Sequence, residues 1–451
     1  MTHRSSPSAE SPPLARTMGL FALTIYGIGD MLGSGIYALI GRVAGQVGNL
    51  IWLAFLVSMV AAALTGLSYA SLGARYPRAA GAAYITHRAY GVPLLSYVVG
   101  LVVMASGLTS MAVQANAFAG YFTGMARLPA DPWTLKICVV AFILFLTAVN
   151  LLGMRESTAL NLLCTTVEVS GLLIVIAAGL RFWGGVDYLE LPGGDGGPAP
   201  FLPVLLSGSV LTFYAFIGFE DMINVIEEVK DPRRTFPRAM VLALLGAALL
   251  YVMVSLSAVS ALPHAALASS RQPLVDVVAR AWPAFPSVVF SAISLFAITN
   301  TALLNYIMGS RLAYGMARQG LLPAAVGAVH PVRRTPHVAI AILMAIVLGL
   351  AMVGDLRVLA QATSALLLSV FVLVNVALVV LKCRKSEPPG PFEVPLWVPV
   401  GGAVVCTLLL TRVEPQPRAI ALLLAAGAAA LYFLVRPRRV TEETIAAAEE
   451  E

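Results

Sequence analysis

Between Gly19 and Gly45 the chain reads GLFALTIYGIGDMLGSGIYALIGRVAG. The run is long and apolar enough to cross a bilayer as a helix, which takes roughly 20 residues. Its middle argues against a continuous helix, because Gly27, Gly29, Gly33 and Gly35 fall there together with Asp30. In hydrocarbon an open backbone amide costs several kcal/mol, so a membrane helix unwinds only where it lines a cavity. Gly33-Ser34-Gly35 marks the expected break, since glycine leaves helical geometry without steric cost. Peptide groups freed there can hold a ligand, the arrangement expected of a secondary transporter.

Composition extends that reading to the whole chain. Of 451 residues 59% are hydrophobic and 12% charged, with a mean hydropathy of +0.86. A soluble domain carries about 25% charged residues, so the chain reads as one multispan membrane domain. The net charge of +6 and pI near 9.2 are read as orienting charge, not as a nucleic-acid footprint. Cys138, Cys164, Cys383 and Cys406 form no CxxC and are expected to act as small apolar packers. The Ser/Pro-rich start shows no cleavable signal sequence.

About twelve spans are expected, near residues 18–46, 48–73, 93–125, 134–153, 158–183, 201–228, 237–261, 285–318, 336–354, 356–382, 395–412 and 416–436. The third and eighth are long, which suggests tilt. With the N-terminus inside, 20 of the 29 Lys and Arg fall in inner segments and nine in outer ones. That asymmetry favours both termini on the cytoplasmic side, and the expected location is the cell membrane, of the bacterial inner-membrane type. The expected organisation is a disordered tail over 1–16, a first repeat over 17–195, a second over 196–385, two further spans over 386–438, and an acidic tail over 439–451. Pro273 to Ala281 reads as a short outer amphipathic helix.

The sixth span carries a second interruption, Tyr214-Ala215-Phe216-Ile217-Gly218-Phe219, followed at once by Glu220 and Asp221. Two adjacent acids within a span are costly and normally face water or protein. Spans one and six thus share a glycine-weakened centre with an acid nearby. They lie five spans apart, and an odd number of spans per half inverts the second half, as in an inverted repeat with its site between the halves.

Three stretches resemble the amino acid–polyamine–organocation (APC) superfamily. They are GIGDMLGSGIY from Gly27, LSYASLGARYPRAAGAAY from Leu67, and FYAFIGFEDMINVIEEVKDPRRTFPRAM from Phe213. The last is the most specific, through Glu227-Glu228, Lys230-Asp231-Pro232 and Pro237-Arg238, and the resemblance covers roughly residues 17 to 438. It implies an all-α membrane protein of about 12 transmembrane helices: a five-plus-five inverted repeat (LeuT-like) with two extra C-terminal helices. It also implies transport of amino acids or related amines. The substrate carboxylate would rest on the amides of Gly33, Ser34 and Gly35, where a half-helix N-terminus carries partial positive charge. The ammonium would meet carbonyls of Tyr214, Ala215 and Ile217, beside Gly218, with Phe216 or Phe219 as an aromatic gate. Two positions depart from the family pattern: Ser71 stands where many relatives carry Glu, and Asp30 where they carry a small or hydroxyl residue.

Glu168 is the lone acid of span five and is expected to carry a coupling proton, the alternative being a neutral, hydrogen-bonded structural role. Asp30 is expected to read a cationic group on the substrate or to titrate, the alternative being an ion pair or a cap of the broken helix. Glu220 and Asp221 divide between helix capping and ligand contact, and Glu220 joins Glu168 as a candidate for proton coupling. Glu227 and Glu228, with Lys230, Arg233 and Arg234, read as an inner gate or loop anchor. Gln114, Asn116, Asn300, Asn305, Gln361 and Ser364 are polar positions within spans, expected to bond between helices or to line the pocket. No metal-ligand spacing, nucleophile motif or nucleotide loop occurs, so no enzyme chemistry and no cofactor are expected. The resulting expectation is proton-coupled symport of an amino acid or amine, with sodium coupling left open. The alternatives are an exchanger of the same fold and a substrate-binding sensor. The expected partners are the small-molecule substrate and the lipid bilayer, with no nucleic acid and no obligatory protein partner.

Overall fold

The computed structural model describes residues 14–79, 81–129, 131–192, 201–270, 273–352, 357–411 and 415–435. The helices are α1 (Leu20–Val47), α2 (Ile51–Arg75), α3 (Gly81–Tyr90), α4 (Pro93–Ala126), α5 (Pro132–Leu152), α6 (Met154–Leu180), α7 (Phe201–Tyr214), α8 (Pro232–Ala261), α9 (His264–Ser269), α10 (Pro273–Ala281), α11 (Ser287–Arg318), α12 (His337–Met352), α13 (Arg357–Cys383), α14 (Trp397–Thr411) and α15 (Pro415–Val435). The fold is all-helical. Among the described residues no strand forms, and one isolated parallel bridge joins Met18 to Val229.

Local chemistry sets the ends of these helices. Asp131 caps α5 by accepting from the Trp133 and Thr134 amides, and Pro132 opens the helix where its missing N–H is not needed. α4 stops where Arg127 turns left-handed at φ 53°. Among the described residues seven helical stretches are long and apolar enough to cross a membrane: Ile40–Arg75, Pro93–Ala126, Pro132–Leu152, Met154–Leu180, Pro232–Ala261, Val288–Arg318 and Ala365–Cys383. Shorter apolar helices cover Leu20–Gly33, Phe201–Phe213, His337–Met352, Trp397–Thr411 and Ala421–Leu434.

Most helix limits fall within a few residues of the expected spans. The sixth span, 201–228, is interrupted as expected, into α7, a turn, and a 3-10 helix over Phe219–Glu228. Two differences matter. The connection after the second span folds as α3. The seventh span begins at Pro232 rather than 237, because Pro237 sits in the second turn of α8 and removes one hydrogen bond without ending the helix. The short outer helix forms as expected, as α10. The proposed terminal tails fall mostly outside the described residues, but Leu14 is buried beside Ala79, Tyr314 and Val329. Cys164 and Cys406 are buried packers, whereas Cys383 is exposed at the end of α13.

α1 is central. It packs against α6, α7, α8, α9 and α11, while α2 lies against α7 and α8. At one end of the bundle the connection between α13 and α14 is tied to α2. Glu393 accepts from Arg75 Nε at 2.6 Å, Lys382 Nζ at 2.5 Å and the Gly390 amide at 2.8 Å. Partial burial opposes ionisation of this carboxyl, but those donors outweigh it and bring its pKa down to about 2.

Candidate functional site

Both expected breaks form, and they touch. In α1 Gly33 leaves helical geometry at φ 33°, ψ −174°. After α7 the chain turns and passes through Gly218 at φ 126°, ψ −26°. Both values lie where glycine is favoured and other residues are strained. Space imposes the same choice: a Cβ on Gly33 would come 2.7 Å from Thr301 Oγ1, and one on Gly218 would come 3.0 Å from the Asp30 carbonyl carbon and oxygen. Tyr251 of α8 ties the breaks together, its hydroxyl lying 2.5 Å from the Met31 carbonyl and 2.7 Å from that of Ala215. A phenol has one proton to donate, so the two carbonyls share it.

Aromatic rings wall this junction. Phe216 packs edge-on to Phe55 and Tyr251, with centroids at 6.4 and 5.2 Å. Phe219 stands against Tyr69 at 6.0 Å and Phe371 at 5.5 Å. Ala215, Phe216 and Phe219 are buried, and Ile217 is half-buried. Ser34 and Gly35 continue α1 beyond the break; the Ser34 and Tyr214 side chains lie outside what is described.

The acids gather here too. Asp30, Glu220 and Asp221 are 6%, 4% and 5% exposed. Glu220 Oε2 accepts the Gly218 amide at 2.8 Å, a local cap of the 3-10 helix. Asp30 Oδ2 and the hydroxyls of Tyr26 and Tyr69 are buried with no hydrogen-bond partner among the described residues.

Glu168 is wholly buried in α6 and sits in a neighbouring polar network. Asn161 donates to Asn300 Oδ1 at 2.8 Å, and Asn300 donates to Thr165 Oγ1 at 2.9 Å and to the Gly29 carbonyl at 3.3 Å. Glu168 follows Thr165 by three residues, so it shares its helix face, and Asn300 reaches it. The network joins α6 and α11 to α1 one turn before the Gly33 break. Gly29 permits this closeness, since a Cβ there would come 2.2 Å from Thr165 Oγ1. Asn305 bonds the Thr301 carbonyl of its own helix, and Asn116 bonds the Ala112 and Ala351 carbonyls. Gln114 is buried in α4, and the side chains of Gln361 and Ser364 lie outside the described residues.

The anchor expected at Glu227 and Glu228 uses other partners than the nearby Lys230, Arg233 and Arg234. Glu228 pairs at 3.3 Å with Arg311, which is fully buried and also donates to Asn150 Oδ1 at 2.5 Å. Glu227 accepts the Ala79 amide at 2.8 Å. Main-chain bonds close the cluster: Thr17 and Met18 amides donate to the Glu228 carbonyl, and the Lys230 amide to that of Met18. Arg311 is one of the 20 Lys and Arg counted in inner segments from the sequence, a reading that missed its pairing. The signal was its position eleven residues after Asn300, well inside a continuous apolar helix.

Comparison with known proteins fits this architecture. The sequence profile of the amino acid permease family matches residues 18–434. The chain is 27% identical to the branched-chain amino acid permease BcaP of Bacillus subtilis, over 88% of each chain. It is 26% identical to the methylthioribose transporter of the same organism, over 89% of each. It is 30% identical to cationic amino acid transporter 4 of Mus musculus, over 86% of this chain and 64% of the mouse protein. With a profile matched almost end to end, on an all-helical frame whose two breaks meet where Gly218 lies against Asp30, the chain belongs to the amino acid permease family, whose members are transporters and not enzymes.

Proposed function

We propose that the protein carries an amino acid or related amine across the cell membrane by alternating access, with both termini cytoplasmic. In this reading twelve spans form a five-plus-five inverted repeat followed by two further helices. The seven membrane-length stretches and the five shorter apolar helices support that count. The observation that carries the proposal is the contact between two membrane helices, each broken at a positive-φ glycine. The substrate carboxylate takes the amides of Gly33, Ser34 and Gly35, where the second half of α1 begins and its dipole is positive. Its ammonium takes the carbonyls of Tyr214, Ala215 and Ile217, and Phe216 and Phe219 close over it. Ligand binding to the folded state raises stability by mass action. Gly33→Leu and Gly218→Leu are therefore expected to abolish the thermal shift given by common amino acids and amines in purified protein. Ligand binding like wild type by both variants overturns this pocket.

Proton symport through Glu168 is the coupling we favour. Its support is a buried acid beside the Asn161–Asn300 network, one turn from the break. Uptake into proteoliposomes is expected to fall when the pH gradient is collapsed, and Glu168→Gln is expected to lose that dependence. Transport unchanged in both tests points instead to an exchanger.

A further inference from the structure

Three carboxylates converge where the two breaks meet. The Asp30 Cγ lies 3.2 Å from the place a Cβ would take on Gly218, and Glu220 Oε2 holds the Gly218 amide at 2.8 Å. Asp221 follows, its own amide bonded to the Gly218 carbonyl at 3.1 Å. Asp30 lies within electrostatic range of Glu220, and Asp221 within range of both. None of the ion pairs among the described residues reaches these acids. Arg311 lies in electrostatic range of Tyr26, but Glu228 already holds it.

A buried carboxylate needs a counter-charge or hydrogen bonds. Glu220 has one donor in the Gly218 amide. Asp30 Oδ2 has none among the described residues, and the buried hydroxyls of Tyr26 and Tyr69 stand in range of the same acids with no hydrogen-bond partner there either. A purely structural acid cluster would use those hydroxyls as donors. Instead acceptors, phenol oxygens and aromatic faces are left together, the set that an organic cation takes. A zwitterion clasped at the break brings no net charge and leaves this cluster uncompensated. The cluster also has its own place: Asp30 precedes Gly33 by three residues, roughly 4.5 Å along the first half of α1.

We infer that Asp30, Asp221 and Glu220, with the Tyr26 and Tyr69 hydroxyls, form a subsite for a second positive group on the substrate, an alkylammonium or guanidinium remote from its α-amino group. The substrate class is then a basic amino acid or a diamine rather than a neutral amino acid. This rests on the placement of the ligand at the two breaks given above.

The test compares L-lysine with L-norleucine, which differ only in the ε-amino group, and adds putrescine. Binding is read on purified full-length protein by thermal shift and by competition with radiolabelled lysine. Lysine is expected to bind at least about tenfold tighter than norleucine, and putrescine to compete. Asp30→Asn and Asp221→Asn are each expected to shrink the lysine-to-norleucine ratio about tenfold or more while norleucine still binds. Should Asp30→Asn not fold, Asp221→Asn and Glu220→Gln give the same readout. Norleucine binding as tightly as lysine, or a ratio that neither variant moves, overturns the subsite and leaves amino acid transport standing. No binding of any of the three to folded wild type overturns the subsite, and no binding of any common amino acid or amine overturns both.

Discussion

Tyr251 shows how much one hydroxyl decides in a dry site. It serves carbonyls from both broken helices, Met31 and Ala215, and its ring is packed between Phe55 and Phe216. Tyr251→Phe keeps the ring and removes the donor, leaving two buried acceptors without it. Stranding a buried polar group costs about 1–3 kcal/mol. The variant is expected to melt earlier by that amount and to transport more slowly, read by thermal unfolding and initial uptake rates. Wild-type values in both would show that the carbonyls find another donor. The glycines of the site were legible in the sequence because their reason is local, a backbone that must leave the helix. Tyr251 was not, because nothing near it in the chain reports on Met31, 220 residues away.

At the scale of elements, the 3-10 helix over Phe219–Glu228 is held at its far end by α11 through the Glu228–Arg311 pair. Removing one partner of a buried pair typically costs about 3–5 kcal/mol, whereas replacing both with apolar groups is often neutral. Arg311→Met and Glu228→Leu are each expected to destabilise by that amount, and the double variant by less than either. Thermal melts of the three variants decide this, and simple addition in the double would mean that the pair does not act as a unit. At the other tether the sign of the pH effect is fixed by Glu393. Its pKa is lowered from 4.5 to about 2, so the stabilisation is complete above 4.5 and is lost as pH falls through 2. Protection of the α13–α14 connection against hydrogen exchange is expected to drop in wild type between pH 5 and 2, and to be low and flat in Glu393→Gln. A wild-type profile that is flat over that range would contradict the assignment.

For the whole molecule, the sequence carried the spans well because a bilayer imposes length and apolarity on every crossing segment. It carried the two breaks because glycine and acids in such segments have few other reasons to be there. It did not carry α3 or the partner of Glu228. α3 is weakly apolar and takes its place through packing on α4 and α13, and Arg311 is hidden in a helix whose composition is otherwise ordinary. The main-chain bonds between Thr17–Met18 and Glu228–Lys230 belong to this scale as well. They splice the start of α1 onto the end of the 3-10 helix, so the half-rod before Gly33 and the one after Gly218 share one mechanical joint. In the alternating-access reading proposed above, the two are then expected to swing together, as one stroke on two glycine hinges.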